Sequence, residues 1–165
     1  QDKKRLQSIC LGFKMLLLKL ITQFMVWTAV VYFMHRVVHL YPKTIGVFHL
    51  SHHRYVNKNY NDLGWHWSNL FLYNDNWSST IDLWITEVIP LIVLCFMFND
   101  YTLLFLYWVW ASFIQERIEH LHDLNLYPFL TSGKWHMKHH SESKYNYGVF
   151  LPIWDVLMGT NYDGK

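Results

Sequence analysis

The chain alternates long apolar runs with short segments rich in histidine. Three runs have the length and composition of helices in a lipid phase: residues 15–34, 83–98 and 101–115. The first holds about 20 residues, enough to cross a bilayer core of about 30 Å. Asn99 and Asp100 separate the other two, a pattern typical of a tight turn between two helices. The chain is therefore predicted to be all-α, with a helical hairpin after the first helix.

Glu87 and Pro90 interrupt the second run, and both hairpin arms are short for a complete crossing. Tilted or partly inserted arms fit this pattern, and so do two core helices of a soluble bundle. The composition favours the membrane, because 52% of residues are apolar, 19% are aromatic and only 16% are charged. We expect an integral membrane helical bundle that forms one domain over residues 1–165.

Ten of the eleven histidines fall into four short clusters. The clusters are His35 and His39; His49, His52 and His53; His120 and His122; and His136, His139 and His140. Residues three or four apart share one face of a helix, so this spacing aims the imidazoles at one point. A solvated polar face or isolated core histidines would explain single members, but not two copies of His-x-x-His-His. The spacing predicts a metal site.

The clusters follow apolar runs and are predicted to meet on one side of the membrane. The hairpin returns the chain to the side where the first helix ends, before Pro42. Its second arm is predicted to continue as a helix from Glu116 to His122. Basic residues favour the cytosolic side, and these lie beside the clusters: Arg36, Lys43, Arg54, Lys58, Arg117, Lys134, Lys138 and Lys144. Lys3, Lys4 and Arg5 oppose this assignment, so the first helix begins as an interfacial segment or upstream sequence is missing. No cleavage site follows the first run, so we expect this helix to remain in the mature chain.

Neutral imidazole suits zinc, copper, nickel and iron, and ten such ligands are too many for one ion. Two ions beside a lipid phase indicate redox chemistry on a hydrocarbon, for which iron is the natural candidate. Four carboxylates lie near enough in sequence to orient the imidazoles: Glu116, Glu119, Asp123 and Asp155. A helix-capping role is the alternative for Asp155.

Five segments resemble the fatty acid hydroxylase and sterol desaturase superfamily of membrane histidine-box diiron oxygenases. They are His-Arg-Val-Val-His at 35–39, His-Leu-Ser-His-His at 49–53, Trp-His-Met-Lys-His-His-Ser at 135–141, Asn-Tyr-Gly at 146–148 and Trp-Asp-Val-Leu-Met-Gly-Thr at 154–160. The resemblance covers residues 35–160. It implies all ten clustered histidines as ligands of two iron ions, which zinc replaces readily on purification, and O2 as cosubstrate. It also implies a membrane lipid substrate, and electrons from a carrier such as cytochrome b5 or ferredoxin.

The resemblance implies hydroxylation or desaturation of a lipid C–H bond, in the endoplasmic reticulum or a bacterial inner membrane. A carotenoid hydroxylase of the same superfamily is one alternative, and a metal-binding or transport membrane protein is another. The third cluster departs from the family pattern, so the choice between His120 and His122 is open. His66 is either a further ligand or an interfacial histidine, and the second interpretation is favoured.

Other features narrow the functional classes. The net charge of +2 without a basic stripe argues against nucleic acid binding. Cys10 and Cys95 have no partner spacing, so neither a disulfide nor a thiolate site is indicated. Aromatic residues of the second hairpin arm, such as Phe105, Tyr107 and Trp108, either line a hydrocarbon channel or pack in the core, and packing is the commoner outcome.

Overall fold

The computed structural model describes residues 2–59 and 65–162. Its α-helices are α1 (Asp2–Leu40), α2 (Val47–Asn59), α3 (Trp77–Leu83), α4 (Ile89–Phe98), α5 (Thr102–Trp110), α6 (Glu116–Ile118), α7 (Lys134–Ser141) and α8 (Ile153–Met158). Two π-helical segments, Trp84–Val88 and Ala111–Gln115, join α3 to α4 and α5 to α6, and two 3-10 turns, Trp67–Leu70 and Tyr73–Asp75, precede α3. No strand forms in these residues, where Asn125 and Gly133 make an isolated bridge. The all-α prediction is confirmed.

Two helices are long and apolar enough to cross a bilayer. They are α1, with 39 residues, and the continuous helix Trp77–Phe98, with 22 residues. The third apolar run forms the shorter helix Thr102–Gln115. We call Trp77–Phe98 the first arm and residues 102–118 the second arm. The membrane helical bundle is confirmed, and α1 runs without a break from Asp2 to Leu40.

The hairpin tip forms at the predicted turn. Asn99 ends α4 in the left-handed conformation, with φ of 49°, and Asp100 accepts a hydrogen bond from the backbone N–H of Thr102 at 3.0 Å. The Gln23 side chain donates to the Asp100 carbonyl at 3.2 Å, and Lys19 lies 3.2 Å from the Asp100 carboxylate. The tip is therefore held against the middle of α1, so that α1 and the arms run side by side.

One face of α1 builds the core and then leads into the metal-ligand region. Gln23, Trp27, Val31 and His35 are spaced four residues apart, and all four are buried. The Trp27 ring packs against Tyr107 with centroids 4.9 Å apart, and its Nε1 donates to the Glu87 carbonyl at 2.9 Å. The packing that fixes Trp27 against both arms therefore also fixes the rotation of α1, and with it the direction of His35.

The second arm ends earlier than expected. A helix continuing to His122 is wrong, because α6 ends at Ile118 and the chain turns immediately afterwards. The Gly133 N–H donates to the Glu119 carbonyl at 2.9 Å, and the Lys134 N–H donates to the Leu124 carbonyl at 2.7 Å. These bonds fold the loop back, so that the turn after α6 lies beside the start of α7.

Candidate metal centre

Nine of the ten clustered histidines come together in two groups within the described residues. The first group is His35, His39, His49, His53 and His139, and the second group is His52, His120, His136 and His140. Each residue offers one ring nitrogen, and within a group these nitrogens all lie within 4.8 Å of one another. All but the half-buried His39 are buried. The sequence clusters are therefore mixed in space, since each group draws on three helices or turns.

The His-His pairs divide between the groups because consecutive helical residues point about 100° apart. His52 lies in the second group and His53 in the first, and likewise His139 lies in the first and His140 in the second. The rings of His53 and His140 stack with centroids 4.1 Å apart and an angle of 14° between their planes. A His-x-x-His-His segment thus supplies ligands to two neighbouring sites from one helix.

A tight turn brings α2 back across the end of α1. A Cβ on Gly46 would lie 1.9 Å from the carbonyl oxygen of Val38, so only glycine allows this approach. The turn sets His49 Nε2 at 3.0 Å from His35 Nε2 and at 2.8 Å from His39 Nε2. From α7, His139 Nε2 lies 2.9 Å from His39 Nε2.

Acceptors on the outside of the first group fix the tautomer of three rings. His35 Nδ1 donates to the Tyr147 carbonyl and His139 Nδ1 to the Tyr145 carbonyl, both at 2.7 Å. His49 Nδ1 donates to the Asp82 carboxylate at 2.8 Å. Carbonyl and carboxylate oxygens accept only, so Nδ1 carries the proton and Nε2 presents its lone pair to the centre.

The geometry of the first group fits a metal ion. His35 and His49 both present a lone pair at Nε2, so no hydrogen bond can form across their 3.0 Å separation. Two imidazole nitrogens about 2.1 Å from one ion, at a right angle, lie about 3.0 Å apart. An ion between the rings turns this repulsion into coordination.

The second group has buried ring nitrogens without hydrogen-bond partners. Both nitrogens of His120 are in this state, as are Nδ1 of His136 and Nδ1 of His140. His136 Nε2 and His140 Nε2 lie 3.0 Å apart, and His52 Nδ1 lies 3.0 Å from the Ser79 hydroxyl. Buried polar atoms are nearly always paired, so these nitrogens require a partner that the protein does not supply. Each ring can give one nitrogen to a cation, so a bound cation would supply a partner to the buried His120 ring.

Burial keeps these imidazoles neutral, which is the form that binds metal. It lowers the pKa of His52 from 6.5 to about 4. Burial, followed by the neighbouring imidazoles, lowers the pKa well below its ordinary value in a further set: His49, His53, His120, His139 and His140. Metal ions therefore compete with few protons at neutral pH.

The carboxylates expected around the site fall in different places. Glu119 is buried, with Oε1 at 3.8 Å from His136 Nε2, while Asp123 is exposed and the side chain of Glu116 lies outside the described residues. Sequence reasoning missed Asp82, the partner of His49. The available signal was a carboxylate at the start of an apolar helix, since ionisable groups in such helices are commonly functional.

Asp155 acts on backbone groups and neither touches an imidazole nor caps α8. It accepts hydrogen bonds from the N–H groups of Tyr147 at 2.7 Å and Gly148 at 2.8 Å, and from the Thr160 hydroxyl at 2.8 Å. A Cβ on Gly148 would lie 2.7 Å from Asp155 Oδ2. The Asn-Tyr-Gly and Trp-Asp-x-x-x-Gly-Thr segments therefore form one unit, and this unit aims the Tyr147 carbonyl at His35.

Two histidines lie apart from both groups. His122 is exposed, and it lies beyond the turn that buries His120. His66 is exposed and caps the 3-10 turn Trp67–Leu70, where its Nδ1 accepts from the Ser68 N–H at 3.3 Å.

A small chamber lies against both groups. Its volume is about 30 Å³, and it is lined by His35, His49, His52, His136, Glu119 and Tyr73, together with residues of the first arm. A cavity needs about 10–15 Å³ to hold one water molecule, so the chamber is large enough for a small molecule. The Tyr73 hydroxyl donates to Glu119 Oε2 at its edge, and Gln115 Nε2 donates to the same oxygen at 3.2 Å.

Comparison with known families matches residues 20–160 to the fatty acid hydroxylase family. The match covers the core face of α1, both arms, both histidine groups and the Asp155 unit. No curated protein and no solved structure matches the chain.

Proposed function

The chain belongs to the fatty acid hydroxylase family, and from this premise we propose that it oxidises a C–H bond of a membrane lipid. The reaction is hydroxylation or desaturation, with O2 as oxidant and electrons from an external carrier. Membership of a hydroxylase family favours this activity over metal transport. A carotenoid remains one candidate substrate.

The convergence of Nε2 atoms in the first group is the observation that carries the proposal. We assign one iron ion to each group, with five histidines available to the first ion and four to the second. His122 is left out of this ligand set because it is exposed outside both groups. Zinc binds imidazole more tightly than ferrous iron, so zinc in purified protein is compatible with an iron enzyme.

A pair of iron ions, when bound, supplies the redox chemistry that reduces O2 and attacks a C–H bond. Hydroxylation places one oxygen atom in the product and the other in water, and it consumes two electrons and two protons. Desaturation removes two hydrogen atoms from the lipid and yields two water molecules, and it also consumes two external electrons and two protons.

The chain's own residues hold the reactants and the proton. The chamber against both groups is small, and most of the side chains that line it are buried. The Tyr73 hydroxyl keeps a proton at the chamber edge through its bond to Glu119, whose other oxygen lies 3.8 Å from His136. Tyr73 and Glu119 therefore form a proton-holding pair beside the second group.

We propose that the histidine groups face the cytosol, because the basic residues beside them favour that side. An acidic carrier such as cytochrome b5 or ferredoxin would reach the groups from there. The membrane is proposed to be the endoplasmic reticulum or a bacterial inner membrane.

The test uses the full chain in lipid nanodiscs, loaded with ferrous iron without oxygen. A chemical reductant and oxygen-18 gas are then added, and the extracted lipids are analysed by mass spectrometry. Hydroxylation is expected to add one oxygen-18 atom to a lipid, whereas desaturation removes two hydrogen atoms. Lipid extracts and a carotenoid are supplied in parallel to identify the substrate.

The control is His136→Ala, which removes a ligand of the second group. It is expected to lose second-group iron and product formation together. Two bound ions per chain without oxidation of any supplied lipid would contradict the proposal. Movement of metal across vesicles without oxidation would support the transporter alternative.

A further inference from the structure

A cleft separate from the metal chamber opens between the two arms. Its volume is about 530 Å³, within the range of small-molecule binding sites. The 3-10 turn Trp67–Leu70 closes one side, since Trp108 Nε1 donates to the Leu70 carbonyl at 3.3 Å. Trp65 Nε1 donates to the Ser112 carbonyl at 2.8 Å and holds the same segment to the second arm.

The mouth of the cleft lies on the side of the two apolar arms. Phe71, Trp84, Phe105 and Trp108 line it and are exposed, so its mouth is aromatic. Both arms are apolar, which favours a mouth that faces lipid over one that faces water. The sequence left open whether Phe105, Tyr107 and Trp108 line a hydrocarbon channel or pack in the core. All three line the cleft, and Tyr107 also packs in the core.

The lining contains no charged side chain among the described residues. A carboxylate or phosphate inside the cleft would lose its hydration without gaining a cation as partner. The cost of burying an unpaired charge is large, so the cleft selects uncharged molecules.

Asn69 differs from other polar residues of this lining in its hydrogen bonding. It is 6% exposed, and neither Oδ1 nor Nδ2 has a hydrogen-bond partner. Other polar lining groups are engaged: Thr80 Oγ1 bonds with backbone groups of Tyr73 and Asn76, and the Tyr107 hydroxyl donates to Glu87 at 2.8 Å. An unpaired buried amide is costly, and a ligand with a hydroxyl or carbonyl would satisfy it.

The cleft adjoins the metal chamber. Tyr73 and Leu83 line both spaces, so these two side chains form the wall between them. A hydrocarbon chain in the cleft would present its carbons to that wall, beside the histidine groups.

We propose that the cleft binds the substrate, an uncharged lipid that enters sideways from the bilayer with its hydroxyl or carbonyl on the Asn69 amide. Asn69 is a positioning residue, because the distance from its amide to the Tyr73–Leu83 wall selects the carbon that reacts. The inference rests on the proposed function in treating the occupant as substrate, but the binding site itself is testable without turnover.

The experiment photolabels the full chain in nanodiscs with two probes, hexadecanol and palmitate, each with a diazirine on its chain. Labelled peptides are mapped at neutral pH by mass spectrometry. Hexadecanol is expected to label the cleft lining, including the peptide with Phe105 and Trp108, at least about tenfold more than palmitate. Equal labelling by both probes, or labelling elsewhere only, would overturn the proposal.

Three variants refine the assignment. Ala111→Phe fills the cleft from its buried lining and is expected to abolish labelling, whereas Val93→Phe, on the exposed side of the first arm, is expected to retain it. Asn69→Leu is expected to lower hexadecanol labelling about tenfold and to raise the melting temperature of lipid-free protein, because it removes an unpaired buried amide. A lower melting temperature in Asn69→Leu would show that Asn69 is structural. Unchanged labelling would show that Asn69 does not position the ligand.

Metal content separates this inference from the proposed function. Cleft labelling in protein that binds no metal would preserve the site and contradict the oxygenase. Two ions and lipid oxidation in Ala111→Phe would contradict the cleft while preserving the oxygenase.

Discussion

The carboxylate of Asp155 accepts a hydrogen bond from the backbone N–H of Tyr147 at 2.7 Å. The carbonyl of Tyr147 in turn accepts from His35 Nδ1 at 2.7 Å. The backbone of Tyr147 therefore links the buried Asp155 carboxylate to the His35 ring of the first group. The segment that follows the last histidine cluster, residues 146–160, therefore orients a ring of the first group.

Replacing Asp155 by Asn is expected to weaken metal binding in the first group. The amide has one acceptor oxygen, so it cannot serve the N–H groups of Tyr147 and Gly148 and the Thr160 hydroxyl together. Loss of such an orienting partner typically costs 10–100-fold in metal affinity, measured by chelator competition. Asp123→Asn is the matched control on the surface, and an equal affinity in both variants would refute the role of Asp155.

Adjacent histidines are expected to control different ions. His52→Ala should lower the occupancy of the second group and His53→Ala that of the first, so each single variant retains about one ion of the two. His53→Ala combined with His139→Ala should lose no more than one ion, because both changes fall in one group. Metal per chain by mass spectrometry checks this, and loss of both ions in every single variant would show one shared site.

The third cluster should contain one ligand. His120→Ala is expected to remove second-group metal, because both of its ring nitrogens are buried and unpaired. His122→Ala is expected to bind metal like the unchanged chain, since this histidine is exposed outside the groups. Metal titration of the two variants distinguishes them, and the reverse result would mean that the loop after α6 has a different conformation with metal bound.

Metal-free protein is expected to lose stability in acid. The pKa of His52 falls from 6.5 to about 4 on burial, so the unfolded state binds more protons between these values. The free energy of unfolding therefore decreases as pH falls from about 6.5 to about 4, and the destabilisation is absent above that window. Thermal unfolding in detergent at several pH values measures this slope. His52→Gln should reduce it, whereas His66→Gln, at an exposed position, should retain it.

The sequence predicted the hairpin, its turn at Asn99 and Asp100, and the convergence of histidines, because these depend on local periodicity and turn chemistry. It did not predict how the histidines divide between two groups. That division depends on the rotation of α2 and α7, which is set by contacts such as the Gly46 turn against Val38.

The hydrogen-bond partners of the rings were harder to predict. Asp82 reaches His49 from the first arm, and Tyr147 reaches His35 through its backbone carbonyl, which leaves no mark in the side-chain pattern. The end of α6 at Ile118 was also missed. No proline or glycine marks that end, and a tertiary hydrogen bond from the Gly133 N–H to the Glu119 carbonyl accompanies it.

The most direct test is a crystal structure of the iron-loaded chain with an anomalous difference map at the iron edge. Two peaks per chain are expected, one among the Nε2 atoms of His35, His39, His49 and His139, and one beside His120, His136 and His140. A single peak, peaks away from these rings, or imidazoles that point apart in the iron-loaded protein would contradict the two-ion centre.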